Sequence, residues 1–272
     1  MTIVNESKLT KEEKRAVKEL KRAEKAGLVI SPQPNIFKPC INGVSILCVR
    51  YGNKYGREYV ERLRNMIARN ITVPYEFVCL TDDQHPIKNV ISIYQPSSNY
   101  NKQWWHKVHI FDKNLPLKER VIYFDLDVVV HNNIDNLVYH ELEKLSGIRD
   151  FNRKFHSRWN YLNSSVMAWQ HGAHHYIYDM FIKDKSNAMR LHGDQDWIYR
   201  VARNNLVFWP DDWIQSYKWE IRSRDEIQII QGKRKFRNES NVKPNLNCSV
   251  SVFHGDPKPE DVTDPFIVEH WK

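Results

Sequence analysis

Asp125 and Asp127 stand in the stretch VIYFDLDVVV at residues 121 to 130, which is otherwise apolar or aromatic. If the stretch forms one strand, both carboxylates project from the same face and Leu126 points to the other. A run apolar on both faces belongs to a sheet covered on both sides, as in α/β proteins. Two neighbouring anions there repel each other and resist desolvation, which is relieved by a bound cation or by a raised pKa. Hard oxygen ligands on one face suit Mg2+ or Mn2+, whose remaining positions are filled by water and substrate phosphates. The pattern therefore points to a metal-diphosphate site. A second reading ends the strand near Phe124 and leaves both aspartates solvated in a loop, and the D-x-D spacing alone keeps both open.

Three more segments carry candidate chemistry after the D-x-D: YLNSSVMAW at 161 to 169, HGDQDWI at 192 to 198 and VFHGDPKP at 252 to 259. Taken singly, Asn163 reads as a turn or capping residue and Asp194 as the N-cap of a helix opening at Gln195. His254 reads as a hydrogen-bonded structural histidine and Lys258 as a surface charge. Taken in order, the four segments resemble glycosyltransferases of the GT-A fold. The nearest likeness is to family 8, which includes glycogenin and the bacterial lipooligosaccharide galactosyltransferases, and it spans roughly residues 44 to 259.

That resemblance implies an α/β fold: a single GT-A type Rossmann-like domain with a mostly parallel central sheet flanked by helices. It implies metal-dependent transfer of a sugar, with retention, from a nucleotide-diphosphate sugar such as a UDP-sugar to a glycan, lipid or protein acceptor. Asp125, Asp127 and His254 would ligate Mn2+ or Mg2+. Asn163 would contact the donor sugar, Lys107 would lie beside the sugar or diphosphate, and Lys258 would clamp the diphosphate. Tyr55 would stack on the base, and Tyr51, beside Arg50, stands where the family often has an acidic residue near the uracil. Asp194 and Gln195 would line the sugar pocket near the anomeric carbon. Gln195 is a poor nucleophile, so a front-face route fits better than a covalent intermediate; in an inverting enzyme Asp194 or Asp196 would be the base. The chain departs from the family in its short spacing from His254 to Lys258 and in carrying Ser165 where glycine is usual.

Other elements must position these residues. Residues 44 to 51 predict a strand entering a turn at Gly52, followed by a helix through about Ile71 and a strand over 75 to 83. In such a β-α-β start the carboxyl ends of the strands form a cleft rim, here Arg50, Tyr51, Tyr55 and Asp82. QWWHKVHIF at 103 to 111 predicts a helix with Val108 and Phe111 on its buried side and Lys107 facing elsewhere. Residues 1 to 35 read as a charged helical arm and linker, with a capping box at Thr10 to Glu13 and SPQPN at 31 to 35; residues 36 to 272 are the transferase domain.

Hydrophobic residues at 41% exclude a wholly disordered chain, and 272 residues suffice for one large core with an arm. The formal charge of +8 favours a phosphorylated or polyanionic partner and permits peripheral contact of the arm with an anionic surface. Neither G-x-G-x-x-G nor a P-loop is present, so a nucleotide is held by other means. A nucleotidyltransferase or nuclease would need a further acidic residue completing a two-metal site about 4 Å across. A basic nucleic-acid-binding module would bind in a steeply salt-dependent way. Cys40, Cys48, Cys79 and Cys248 lack C-x-x-C spacing and read as reduced thiols, and no signal or membrane-spanning segment is evident, which suggests a cytoplasmic protein. Trp104, Trp105, Trp209 and Trp213 divide between core and sugar-stacking roles, and His171, His174 and His175 read as exposed or core histidines.

Overall fold

The expected β-α-β start is present. The strand β1 (Val44–Arg50) runs parallel to β2 (Tyr75–Thr81), with the helix α1 (Arg57–Asn70) between them. Tyr59, Val60, Leu63, Met66 and Ile67 make a stripe at helical spacing that buries α1 against the sheet. The computed structural model describes residues 41 to 222 and 243 to 272, with the backbone of Ile227–Ile230 and Lys233–Phe236 between them. The arm and linker expected over residues 1 to 35 lie outside the described residues.

The chain continues through β3 (Ile91–Tyr94), β4 (Arg120–Phe124), β5 (Val128–Val130), β6 (Leu145–Arg149), β7 (Leu162–Gln170), β8 (Leu206–Phe208) and β9 (Ile214–Ser216). The hairpin β10 (Ile227–Ile230) and β11 (Lys233–Phe236) precedes β12 (Val250–Val252). The main sheet has seven strands in the order β3-β2-β1-β4-β7-β6-β8. β1 is parallel both to β2 and to β4, so successive connections leave it in opposite directions. Such a switch point opens a crevice beyond the carboxyl ends of the two strands, where α/β sheets bind ligands. β7 is antiparallel to both β4 and β6.

Alternation along the strands divides the core into two layers. Ile46, Cys48, Ile122 and Phe124 face α1 and a smaller three-stranded sheet, β5-β12-β9. Leu47, Val121 and Tyr123 face Trp105, Val108, Phe181 and Trp197, which the segment Gln103–Phe111 and two helices supply.

One expected element differs. Residues 121 to 130 are not one strand: β4 ends at Phe124 in the main sheet and β5 starts at Val128 in the smaller one. Asp125, Leu126 and Asp127 form the turn between them, and Leu126 is buried. An unbroken buried strand would hold two anions without room for separate counter-charges, whereas the turn gives each carboxylate its own partners. Nor are the aspartates solvated. The helix expected over Gln103–Phe111 is present and is of the 3-10 type; Val108 and Phe111 are buried as expected, along with Trp105, His106 and Ile110.

Candidate active site

A cavity of about 340 Å3 opens at the switch point between β1 and β4. Of the residues singled out from the sequence it is lined by Tyr51, Tyr55, Lys107, Asp125, Asp127, Asn163, Asp194, Gln195, His254 and Lys258. Its volume lies within the range of small-ligand sites. Arg50 and Asp82, also expected at the rim, serve the loop instead. Arg50 pairs with Asp83 at 3.2 Å, and Asp82 accepts the Gly52 N–H at 3.1 Å, fixing the turn after β1.

Lys107 is the centre of one half of the site. Its ammonium lies 2.8 Å from Asp125 Oδ1 and 3.2 Å from Asp194 Oδ2, and it donates to Ser164 Oγ at 3.2 Å. Tyr123, near the end of β4, donates to Asp125 Oδ1 at 2.6 Å. Burial works against the Lys107 charge, but Asp125 and Asp194 more than offset it and raise the lysine above its ordinary range. Burial likewise opposes ionised Asp125, and Lys107 with the hydrogen bonds from Tyr123 and Ser165 overcomes it, holding the carboxyl below its usual value. Asp194 is pushed the other way, chiefly by burial, which Lys107 does not overcome and to which Asp125 adds repulsion.

Asp194 opens the helix Asp194–Ala202, whose N-cap is Gly193 rather than Asp194. A carboxylate in a first turn gains from the helix dipole. Gln195 Oε1 accepts the Ser164 N–H at 3.1 Å, joining this helix to β7. A bulge makes that link possible: Gly147 pairs with Met167 but Ile148 with Asn163, so residues 164 to 166 have no counterpart on β6. Asn163 Oδ1 accepts the Ser165 N–H at 3.1 Å, and the Ser165 carbonyl accepts the Asp125 N–H at 2.8 Å.

Asp127 belongs to the other half. Lys258 Nζ lies 2.5 Å from Asp127 Oδ2, and the Tyr55 hydroxyl donates to the same oxygen at 2.8 Å. The Tyr55 ring stands under the Lys258 and Lys54 ammonium groups, 5.8 and 4.9 Å from its centroid. His254 Nε2 is 2.7 Å from Ser216 Oγ, and its ring stacks on Phe151 at 5.2 Å. Among the described residues no three His, Cys, Asp or Glu side chains converge on one point. The donor set nonetheless fits a divalent cation: two carboxylates and an imidazole share the cavity, and an ammonium already stands in as the cation at Asp127.

Tyr51 forms the wall at the end of β1. Its ring stacks on buried His106 at 4.0 Å and 13°, and its hydroxyl donates to Gln95 Oε1 at 3.2 Å. Trp104 lines the cavity and is 44% exposed, whereas Trp105 and Trp209 are core and Trp213 is partly buried. Cys48, Cys79 and Cys248 are buried free thiols.

Sequence reasoning missed Ser164, Tyr123 and Lys218. Period-two alternation from Asp125 could have found Tyr123. Nothing in the sequence marks Ser164, which depends on the bulge. Lys218 is buried beside Gly255, whose φ of +75° favours glycine and where an added Cβ would lie 3.1 Å from Lys218 Nζ.

No family model matches the sequence, and no curated protein does. Solved structures do. The galactosyltransferase LgtC, in complex with donor and acceptor sugar analogues, matches with a TM-score of 0.59 and 15% identity, over 83% of this chain and 93% of that one. The apo structure of the bifunctional glycosyltransferase WbbM matches at 0.53 and 14% identity, over 86% of this chain and 50% of that one. This is the GT-A fold. The expected Rossmann-like domain with a mostly parallel sheet and flanking helices is therefore present, and it resembles the family 8 transferases in architecture. Among the described residues no helix is long and apolar enough to cross a membrane.

Proposed function

We propose that this chain is a metal-dependent glycosyltransferase that moves a sugar, with retention, from a nucleotide-diphosphate sugar, taken to be a UDP-sugar, to an acceptor hydroxyl. The observation that carries the reading is the pairing of Lys107 with Asp125 and Asp194, and of Lys258 with Asp127, around one cavity at the switch point. A diphosphate leaving group needs fixed positive charge, and both lysines supply it. Asp125, Asp127 and His254 would hold Mn2+ or Mg2+, which when bound supplies Lewis-acid stabilisation of the leaving diphosphate.

Every carboxylate lining the cavity is paired with a lysine, and Asp196 is exposed and outside the lining. Lys107 and Ser164 both engage Asp194 Oδ2, which suits holding the donor sugar rather than taking the acceptor proton, and a front-face route fits that arrangement. The bond from the anomeric carbon to the diphosphate oxygen breaks, and the acceptor oxygen bonds to the same face. The acceptor proton passes to that diphosphate oxygen. Lys107 and Lys258 meet the charge left on the diphosphate, while Asn163, Asp194 and Gln195 hold the sugar. Gln195 Oε1 is engaged by Ser164, which suits orientation rather than attack.

The test is release of nucleoside diphosphate from a panel of nucleotide sugars, with Mn2+ or with chelator. Asp125→Asn and Asp127→Asn should each lower the metal-dependent rate about a hundred- to a thousandfold, since each removes a charged ligand with little change of volume. Parent-like rates in either variant, or turnover of nucleoside triphosphates alone, would sink the proposal. Proton NMR of the first-formed product reads the anomeric configuration; an inverted one would make Asp194 or Asp196 the base.

A further inference from the structure

We infer that Gln103 reads the nucleobase of the donor, and that its carboxamide, which can pair with uracil or with cytosine, leaves the site unable to tell a uridine from a cytidine diphosphate. The inference rests on the donor-site reading above, with the base at the Tyr51 and Tyr55 end of the cavity.

Gln103 lines the cavity and is exposed at the first position of the 3-10 helix Gln103–Phe111. Its place beside Tyr51 is fixed from two sides. The Gln103 carbonyl accepts from His106 Nδ1 at 2.9 Å, and the buried His106 ring is the one that stacks on Tyr51. The side chain reaches across to the turn after β1, where a Cβ added to Gly52 would lie 3.8 Å from Gln103 Cδ. The carboxamide therefore stands over the end of β1, held there before anything binds.

Neighbouring polar side chains at this end are spent on the protein itself. The Tyr51 hydroxyl donates to Gln95 and the Tyr55 hydroxyl to Asp127. Arg50 holds Asp83 and the Tyr55 carbonyl, and Asp82 holds the Gly52 N–H. Lys54 lines the cavity but offers only donors, which suit the O2 carbonyl that both pyrimidines share. Among the described residues the Gln103 carboxamide has no hydrogen-bond partner, so its acceptor and its donors are kept for a ligand.

The chemistry of that group decides what it can discriminate. Uracil presents N3–H beside a carbonyl oxygen, whereas cytosine presents N3 as an acceptor beside an amino group. A carboxylate only accepts, so it suits the uracil N3–H and repels the cytosine N3 lone pair. A carboxamide takes either base: one way round, Oε1 accepts the uracil N3–H while Nε2–H meets the carbonyl; turned over, Nε2–H meets cytosine N3 while Oε1 accepts the amino group. The two bases have nearly the same outline, so ring packing does not separate them either.

The experiment is calorimetry of UDP and of CDP on the full chain with Mn2+ present. The parent should bind the two with affinities within about fivefold of each other. Gln103→Ala should weaken both about tenfold, whereas Gln103→Glu should move the preference toward UDP by about tenfold or more. The charge that glutamate adds near the diphosphate weakens both nucleotides alike, so the ratio is the readout. Glutamate has the size of glutamine and the position is exposed, so loss of fold would not shift that ratio. A parent preference for UDP beyond about fivefold, or an unchanged ratio in Gln103→Glu, would overturn the inference. A parent that binds neither nucleotide would overturn the donor-site reading, and this inference with it.

Discussion

Asp125 and Asp127 carry the same group, stand two residues apart and face one cavity, yet they are held in opposite ways. Asp125 is set by regular structure: Tyr123 from β4, Lys107 from a buried 3-10 helix and the Ser165 carbonyl from β7. Asp127 is set by segments between elements, with Tyr55 from the turn before α1 and Lys258 from the loop after β12. The difference teaches that one side of the site is preorganised and the other is adjustable. The lysine shared by two carboxylates cannot leave without stranding both, whereas the lysine on Asp127 has, among the described residues, a single ionic partner to exchange.

The largest effect that can test this contrast is on stability. Lys107→Met should cost about 3–5 kcal/mol by urea unfolding, because it leaves two buried carboxylates facing each other, and adding Asp194→Asn should recover part of the loss. Lys258→Met strands one carboxylate, which keeps the Tyr55 hydrogen bond, and should cost less, about 1–3 kcal/mol. Equal costs would erase the distinction between the two halves.

Next in size is a split in binding. Lys258→Ala removes a cation that competes at Asp127, so Mn2+ alone should bind as well as to the parent, or up to about tenfold more tightly. UDP in the presence of Mn2+ should bind about tenfold more weakly, because a diphosphate partner is gone. Calorimetry in which Mn2+ and UDP weaken in parallel would make Lys258 a structural prop.

The smallest effect concerns pH and falls on the preorganised side, where His106 and His109 flank Lys107 on the 3-10 helix. Burial, then the neighbouring His106 and Lys185, pushes His109 down to about 4, with Tyr100 and Gln95 at its ring nitrogens. The folded chain therefore binds fewer protons than the unfolded one below the ordinary histidine range, and stability falls as pH drops toward about 4. From pH 7 to about pH 5.5 the loss assigned to His109 should be about 1 kcal/mol or less. His109→Gln should flatten that part of the curve, and an unchanged slope would remove His109 from it.

The residues that meet at the site were legible in the sequence because chemistry is written in residue type and order. Asp125, Asn163, Asp194 and His254 are far apart in the chain, and the ordered motifs announced them jointly. The means of bringing them together was less legible. The two aspartates do face one cavity, but through a turn between two sheets and not through strand alternation, since an apolar run does not reveal which sheet each half joins. Lys107 looks like any lysine on a helix until Asp125 and Asp194 are seen around it. Ser164 depends on a register shift that only pairing with β6 defines.

That register shift has a consequence for how the site can persist. Ser164 and Ser165 are released from the β6 ladder, and their main-chain groups become wiring: the Ser164 N–H to Gln195, the Ser165 N–H to Asn163 and the Ser165 carbonyl to Asp125. Peptide groups are the same in every residue, so these links do not depend on which side chains occupy the two positions. A centre soldered by its backbone at these two positions can keep its shape while the side chains there are rewritten.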